Sequence, residues 1–395
     1  MAAPPRPRLV PVDPQRSADG DGEELVVLRD PAGIARDGLG LSRAAFWIAA
    51  QLDGTRTVED VVALATGQGV TFAPDEVSAL VDGLDAAGFV EGPRRRALRG
   101  EALAAFRASG LRPPSCAGGV YPGQPDALRA ALDRWLAAPG GPPPGTPPPA
   151  PLRLLVAPHI DYRRGAVGYA HAYRALAGAD AELFVVFGTA HASPRRLFTL
   201  TRLDHDTPLG PVPTDRPAVE ALAAALGEAE CFEDELCHRD EHSVELQVVL
   251  LRHLVRRPFT VLPVLCSSLA HLDDPAGATA PFLDALDRAL AGRRACFVAG
   301  ADLAHVGPLY GDDRPATPAE RAALAEADLR TLGYLARGDA EGFHRDALRD
   351  GDRRRICGVA PIYAALRASR TGARLLHHGT WTDGTDLVSY AAAAG

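Results

Sequence analysis

From residue 152 onward, short apolar segments alternate with longer amphipathic segments. Six of the apolar segments have the length and composition of buried strands: LRLLVAP, AELFVVFG, FTVLPVLC, ACFVAG, ARLLHHGTW and DLVSYAAAA. Strands that alternate with helices are typical of an α/β layer structure, in which helices cover a largely buried sheet. We therefore predict an α/β fold for this part of the chain.

Polar residues follow three of these predicted strands. His159 follows LLVAP, His191 follows LFVVFGTA, and both Asp302 and His305 follow CFVAG. In open α/β sheets the carboxyl ends of the strands form one crevice, where ligands usually bind. Because neutral imidazole is a strong ligand for transition metals, three histidines at such ends indicate a metal site. The alternative is that each histidine is only hydrogen-bonded within its own loop.

Two helical segments add further candidates. Glu241 and His242 begin the segment EHSVELQVVLLRHLV, where they either complement the helix dipole or face the crevice. Cys357 follows three arginines and precedes an apolar helix, an environment that favours a thiolate and makes it a candidate metal ligand or nucleophile. Asp302, three residues before His305, is either an acceptor that orients a ligand imidazole or a helix N-cap.

Composition excludes several other functions. The formal net charge of −8 provides no positive field for nucleic acid, and the clusters GPRRRALRG and DGDRRRICG are interpreted as solvated patches. The absence of lysine excludes a lysine Schiff base, and the six cysteines lack the CxxC spacing. No apolar run is long enough to span a membrane and the first residues lack a signal-peptide core, so we predict a cytoplasmic protein without membrane contact.

The sequence divides into four predicted parts. Residues 1–22 are rich in proline, aspartate and glycine and are predicted to be a disordered tail. Residues 23–93 contain a short strand, three helices and a closing hairpin, which is the outline of a small winged-helix domain. Residues 94–112 are arginine-rich and are predicted to link this domain to a metal-binding α/β domain over residues 113–395.

The phrase LDGTRTVEDVVALA, followed by VSALVDGLDAAGFVE, resembles the PqqD-like family. Members of that family bind peptides or partner enzymes in peptide-modification pathways. The resemblance implies an amino-terminal module that recruits a peptide or protein substrate. A DNA-binding winged helix is the alternative, which the acidic composition of the segment disfavours.

Eight motifs in the second part of the chain resemble, in order, the Memo family, whose bacterial and archaeal members are called AmmeMemoRadiSam system protein B. They are APHIDYRRGAVGYAHAY, VVFGTAHASPRRLFTL, TPLGPVPTD, DEHSVELQVVLLRHL, FTVLPVLC, GADLAHVG, ICGVAPIYAAL and VSYAAAA. Memo proteins are similar in fold to the class III extradiol, non-haem iron dioxygenases. The resemblance therefore implies a metal in the crevice, oxygenase-like chemistry, and a radical SAM protein and an AMMECR-type protein as partners.

The resemblance also implies a role for each candidate residue. The positions that match the family's metal ligands are His159, His191, His305 and Cys357. The positions that match its other site residues are Asp302, Glu241 and His242. Three imidazoles and one thiolate suit iron, which the resemblance favours, and also copper or zinc. If only two histidines and the cysteine bind the metal, His305 would act as a general acid or base.

Four positions depart from the family's pattern. Asp161 stands where the family has glycine, Ala192 replaces the second histidine of a pair, Gln247 replaces a helix histidine, and Val306 replaces a tryptophan. Asp161 is a further catalytic candidate, because a carboxylate near an open coordination position could deprotonate a bound water or substrate. The alternative is an ordinary surface carboxylate.

These observations support three hypotheses about function. The first is a metal-dependent, oxygenase-like redox enzyme that acts on a recruited peptide or protein together with a radical SAM partner. The second is a non-catalytic scaffold that contains a structural metal and docks that partner. The third is a zinc hydrolase with Asp161 or Glu241 as its base.

Overall fold

The computed structural model describes residues 5–18, 24–35, 37–69, 71–143, 152–192 and 194–395. The chain divides into two compact units, Met1–Ser109 and Gly110–Gly395. Among the described residues, no helix is both long and apolar enough to cross a lipid bilayer.

The smaller unit contains a three-stranded antiparallel sheet followed by helices. The strands are β1 (Asp13–Ala18), β2 (Glu24–Arg29) and β3 (Leu39–Ser42), in that order across the sheet. The helices are α1 (Arg43–Ala50), α2 (Val58–Gly67), α3 (Pro74–Ala86) and α4 (Pro93–Ala108). The core between them is formed by fully buried apolar side chains, among them Leu28, Ile48, Val61 and Leu84.

Part of the predicted tail is ordered. Residues 13–18 form β1, because all six pair with β2 and so obtain backbone hydrogen bonds that their composition does not reveal. The Leu9 backbone nitrogen donates to the Leu52 carbonyl oxygen, and the Val10 nitrogen donates to the Phe89 carbonyl oxygen. The Val10 side chain is buried. The other predicted tail residues, 1–4 and 19–22, lie outside the described residues.

The predicted linker is largely a helix. Residues 93–108 form α4, and Arg95 within it donates to Asp30 at 2.9 Å and to the carbonyl oxygen of Gly88 at 2.7 Å. One arginine of the GPRRRALRG cluster therefore joins an ion pair with a buried carboxylate instead of facing solvent. The predicted closing hairpin is also replaced: Val90 forms an isolated bridge with Leu9, and the chain then enters α4. The winged-helix assignment stays a prediction.

The larger unit alternates strands and helices. Its strands are β4 (Leu111–Arg112), β5 (Leu154–Ala157), β6 (Leu183–Thr189), β7 (Phe198–Leu200), β8 (Asp204–His205), β9 (Thr260–Cys266), β10 (Ala295–Gly300), β11 (Asp302–Val306), β12 (Arg374–Thr382) and β13 (Leu387–Ala394). Its helices are α5 (Pro125–Leu136), α6 (Ala166–Arg174), α7 (Arg216–Leu226), α8 (Glu228–Phe232), α9 (His242–Leu254), α10 (Pro275–Ala289), α11 (Pro318–Ala336), α12 (Ala340–Ala347) and α13 (Val359–Ser369).

Eight of these strands form one mixed sheet. Its order is β11-β13-β5-β10-β6-β9-β7, and β12 pairs with β13. The four central strands β5, β10, β6 and β9 are parallel, whereas the outer strands are antiparallel. All six strands predicted from the sequence belong to this sheet, so the predicted α/β architecture is confirmed.

Both faces of the sheet are buried. In β6, Val185 and Phe187 pack into one apolar cluster, whereas Phe184 and Val186 pack into the other. This alternation follows from the two-residue period of a strand, and it explains why the segment reads as continuously apolar. Because the central strands are parallel, their carboxyl ends lie along a single edge of the sheet, where the candidate residues follow them.

A buried ion pair supports the loops near that edge. The Arg112 guanidinium on β4 donates to the Glu245 carboxylate on α9, and both side chains are 1% exposed. Glu245 also accepts hydrogen bonds from the backbone nitrogens of Ser115 and Cys116, each at 3.0 Å. Arg112 further donates to the Glu241 carbonyl oxygen at 2.6 Å. The pair therefore ties β4 to the beginning of α9.

We expect Arg112→Ala to lower the free energy of unfolding by about 3–5 kcal/mol, because it leaves the buried Glu245 carboxylate without its charge partner. Arg294→Ala is the control, since that side chain is 63% exposed and pairs with Glu182 at the surface; its cost should stay below about 1 kcal/mol. Urea denaturation measures both. Equal costs for the two substitutions would contradict the prediction.

Candidate metal centre

Three imidazoles meet at the carboxyl edge of the sheet. His159 follows β5, His191 follows β6, and His242 is the first residue of α9. One ring nitrogen of each lies within 4.8 Å of the corresponding nitrogens of the other two, a spacing that one metal ion could bridge. The His191 and His242 rings stack with centroids 4.6 Å apart, and the His159 ring meets both edge-on.

Cys357 adds a sulfur to this group. Its Sγ atom lies 3.2 Å from His159 Nε2. The residue precedes α13, and its carbonyl oxygen accepts a hydrogen bond from Thr189 Oγ1 at 2.9 Å, which ties the cysteine loop to the end of β6. The structure therefore brings together His159, His191 and Cys357, three of the four metal ligands expected from the sequence.

His305, the fourth expected ligand, is not a member of the three-histidine group in the part of the chain that the structure describes. Its Nδ1 atom faces the carbonyl oxygens of Leu303 and Arg355 at 3.1 and 3.2 Å, and its ring meets Tyr310 edge-on. His242 supplies the third imidazole instead. Its position at a helix terminus that could face the crevice was visible in the sequence, but spacing alone could not rank it above His305.

Hydrogen bonds orient the ligand imidazoles. His159 Nδ1 lies 2.9 Å from the Gly300 carbonyl oxygen, and His191 Nδ1 lies 2.9 Å from Glu241 Oε1. His242 Nδ1 is 3.4 Å from the same Glu241 oxygen. An Nδ1–H that donates to such an acceptor leaves the Nε2 lone pair free to bind a metal. The His159 and His191 rings therefore have the acceptor arrangement typical of metal-binding histidines.

Glu241 and Asp302 are the two buried carboxylates around the cluster. Glu241 accepts hydrogen bonds from the His191 backbone nitrogen at 2.8 Å and the Ser243 nitrogen at 3.0 Å, in addition to the His191 ring. Asp302 accepts from the His159 backbone nitrogen at 3.0 Å, and its other oxygen lies 3.6 Å from His159 Nε2. Both contact ligand histidines, so both can act by orienting them.

Burial and neighbouring charge set the protonation states of the histidines. Burial lowers the pKa of His159 to about 3 and that of His242 to about 4. Both rings are therefore neutral near pH 7, as metal binding requires. Burial also opposes protonation of His191, but its hydrogen bond and charge interaction with Glu241 raise its pKa overall. A bound cation would compete with the His191 proton.

The carboxyl and thiol groups are shifted in different directions. Burial alone would raise the pKa of Glu241, but its hydrogen bond to His191 and the neighbouring imidazoles lower it well below its usual range. Burial raises the pKa of Asp302 and raises that of Cys357 strongly. The flanking arginines do not favour the Cys357 thiolate as their position in the sequence suggested, so a metal cation would have to supply that stabilisation.

Two of the unusual positions have local partners. Asp161 pairs with Arg164 at 2.9 Å and also accepts from the Arg164 backbone nitrogen, so its carboxylate is held in a turn by a residue three positions along. Gln247 is fully buried, donates to the Pro158 carbonyl oxygen at 2.9 Å and accepts from Tyr173 at 2.7 Å. Sequence reasoning treated Gln247 only as a lost histidine, whereas it supports the residue before His159.

The fold and the site together define a mixed α/β protein with a histidine-rich candidate metal centre at the carboxyl ends of its parallel strands. The family model described as Memo-like protein matches residues 112–394, so the chain belongs to the Memo-like family. This confirms the resemblance seen in the ordered motifs. The PqqD-like module and the AmmeMemoRadiSam system remain predictions.

Several MEMO1 family proteins are similar to the chain. One from Thermus thermophilus is 34% identical over 259 residues, which cover 65% of this chain and 72% of the relative. One from Methanococcoides burtonii is 29% identical over 296 residues, which cover 71% of this chain and 98% of the relative. One from Aquifex aeolicus is 25% identical over 340 residues and covers 85% of both chains.

We expect Glu241→Gln to weaken binding of a divalent metal by about 10–100-fold, because the amide no longer stabilises the orientation of the His191 ring as a carboxylate does. Competition against a chelator with a chromophore measures the affinity. Glu230→Gln is the matched control, since Glu230 is partly exposed and pairs with Arg196 outside the cluster. Unchanged affinity in Glu241→Gln, with the control also unchanged, would show that Glu241 does not orient a ligand.

Proposed function

We propose that this protein is a metal-dependent, oxygenase-like redox protein, with iron as the favoured ion and copper as the alternative. Zinc has no redox chemistry and would suit only the scaffold or hydrolase alternatives. The observation that carries the proposal is the Cys357 Sγ atom at 3.2 Å from His159 Nε2, beside two further imidazoles. A set of imidazoles with one soft sulfur suits a first-row transition metal and does not suit magnesium or calcium. A bound redox-active ion would supply Lewis acidity and electron transfer.

The residues around the cluster divide between binding and proton transfer. His159, His191, His242 and Cys357 are the groups that would hold the ion. Glu241 orients the His191 imidazole and remains ionised. His305 is proposed as the general acid or base: two carbonyl oxygens face its Nδ1 atom, and burial lowers its pKa and keeps the ring neutral. Its Nε2 atom is then the one that can accept a proton.

Asp302 is proposed to assist proton transfer at the same site. Burial raises the pKa of its carboxyl group, which brings the protonated form closer to neutral pH. One of its oxygens lies 3.6 Å from His159 Nε2. The carboxyl can therefore exchange a proton beside the ligand set as well as hold the His159 loop.

The hydrolase alternative has weaker support. A hydrolytic base must be free to take a proton from water. The Glu241 carboxylate already accepts from His191 and Ser243, and Asp161 is paired with Arg164. The scaffold alternative keeps the same ligands but assigns them no reaction.

The smaller unit is proposed to recruit a peptide or protein substrate and to dock a radical SAM protein, with an AMMECR-type protein as a further partner. In the sheet of this unit, β3 is an outer strand, and outer strands can pair with an added peptide. A cavity of about 530 Å³ lies beside its first residue, Leu39. Ile34, Ala86 and Leu98 contribute apolar surface to the cavity, which could accept side chains of the added segment.

Purified under anaerobic conditions, the protein should contain about one equivalent of transition metal per chain, as expected for a single cluster of this kind. Elemental analysis should show loss of that metal in His159→Ala and in Cys357→Ser. His271→Ala is the control, because His271 is exposed and lies outside the cluster. Iron, copper and zinc levels that do not respond to either site substitution would disprove the metal proposal.

Leu98→Glu should abolish capture of the radical SAM protein by the full-length chain in a pull-down experiment, since it places a carboxylate in the apolar part of the cavity. Ala97→Glu adds the same charge at the neighbouring, exposed position and should retain capture. Equal capture by the two variants would argue against this cavity as the docking surface.

A further inference from the structure

The loop before Cys357 contains the second arginine cluster, DGDRRRICG, and the three arginines have different environments. Arg353 is exposed, Arg354 is 5% exposed, and Arg355 is half-buried. The cluster is therefore not the solvated patch that its composition suggested. A buried guanidinium requires partners for its charge and its N–H groups, and those partners indicate what the loop is attached to.

Arg354 attaches the loop to α11 and α12. Its Nη1 group donates to Asp328 Oδ1 at 3.2 Å and to Thr331 Oγ1 at 3.1 Å. Its Nη2 group donates to the carbonyl oxygens of Asp346 and Ala347 at 2.7 and 3.1 Å. Asp328 is itself fully buried, so the ion pair is shielded from solvent and from salt.

The backbone of the same loop holds His305. The His305 backbone nitrogen donates to the Arg354 carbonyl oxygen at 2.8 Å, and its ring Nδ1 lies 3.2 Å from the Arg355 carbonyl oxygen. Arg355 Nε donates in return to the His305 carbonyl oxygen at 3.0 Å. Arg355 has a φ of 48°, a left-handed conformation that is rare for a residue with a side chain.

Asp328 also supports Ala304, the residue before His305, through Ser389. Its second oxygen accepts from Ser389 Oγ at 2.6 Å, and Ser389 Oγ accepts from the Ala304 backbone nitrogen at 2.9 Å. The pairing of β11 with β13 is irregular between Asp302 and His305. In this irregular stretch the Ala304 backbone nitrogen therefore donates to Ser389, and the His305 backbone nitrogen donates to the Arg354 carbonyl oxygen. The side chains of Ser389 and Arg354 both donate to Asp328.

Cys357 follows Arg354 by only three positions, and its own surroundings are close-packed. The Gly358 nitrogen donates to the Asp302 carbonyl oxygen at 3.0 Å. A Cβ atom at Gly358 would lie 2.3 Å from that oxygen, so the chain after Cys357 has no room to shift toward β11. The position of the Cys357 sulfur therefore depends on two contacts. Arg354 holds the chain before the cysteine, and the close contact between Gly358 and Asp302 holds the chain after it.

We propose that Arg354 and Asp328 are a pair of positioning residues that together set the place of Cys357 in the candidate metal centre and the place of His305 beside it. The inference rests on the proposed function only because that function assigns metal binding to Cys357 and proton transfer to His305. Neither member of the pair contacts the imidazole cluster. The competing explanation is that the pair merely stabilises the fold.

Alkylation of Cys357 in the metal-free, full-length protein tests the proposal without requiring activity. Iodoacetamide labelling is followed by mass spectrometry of the Cys357 peptide, with Cys116 and Cys237 as internal references because both are partly exposed. Arg354→Lys cannot reproduce the forked contacts, and we expect labelling of Cys357 to accelerate about tenfold or more while the references stay unchanged, as for a local opening. Arg353→Lys, at the exposed neighbour, should behave as the wild type.

Asp328→Asn keeps the size of the carboxylate and provides a second variant if Arg354→Lys does not fold. Circular dichroism and urea denaturation report whether each variant is folded. A folded Arg354→Lys or Asp328→Asn protein whose Cys357 is labelled at the wild-type rate would overturn the proposal. Equal acceleration at Cys357 and at both reference cysteines would also overturn it, since that result indicates a general loss of stability.

Binding of cobalt(II) separates this proposal from the proposed function. Wild-type protein should show a thiolate-to-cobalt absorption band, and the Arg354→Lys variant should bind cobalt with a weakened band. If the wild type binds no cobalt, the metal proposal fails, whereas the labelling rates still decide whether Arg354 and Asp328 position Cys357.

Discussion

Parallel pairing of β5, β10, β6 and β9 is the constraint on which the rest of the larger unit depends. These strands are buried on both faces, so each backbone N–H and C=O must find its partner in a neighbouring strand. Once the pairing is formed, the carboxyl ends of the strands lie along one edge. His159 and His191 leave the sheet at that edge, and β11, which carries Asp302 and His305, begins there directly after β10, although these segments are far apart in the sequence.

A second layer of buried charges surrounds the cluster and fixes its loops. Arg112 with Glu245 holds the beginning of α9, Glu241 holds His191, and Arg354 with Asp328 holds the loop before Cys357. Burying such charges costs solvation free energy that an apolar pair would not cost. Their common feature is a hydrogen bond to a site residue. Arg112 bonds the Glu241 carbonyl oxygen, Glu241 bonds the His191 ring, and the Arg354 carbonyl oxygen bonds the His305 nitrogen. We therefore interpret them as devices that set positions more than as sources of stability.

The sequence was most informative where one motif coincides with one strand end. His159 and His191 are predicted in this way, whereas Cys357 is predicted from its place before a helix and from the Memo resemblance. The structure places all three together. The sequence ranks His305 above His242 as a ligand, whereas the structure groups His242 with the other two histidines, because the choice depends on how the amino terminus of α9 and the irregular β11 strand approach the cluster. Arg354 was misread for a related reason: a run of arginines has the same composition whether its side chains face water or a buried aspartate.

The sequence by itself determined the alternation of strands and helices, membership of the Memo-like family, and the chemical character of the site as imidazoles with a sulfur. The alternation follows from local periodicity, whereas the family and the sulfur among the expected ligands follow from the resemblance of the ordered motifs to the Memo family. Only the tertiary structure decided that His242 joins His159 and His191, that Asp161 turns to Arg164, and that Arg354 is buried against Asp328. Each of these outcomes depends on contacts between segments that are distant along the chain, whose distances and burial arise only when the sheet and its covering helices pack.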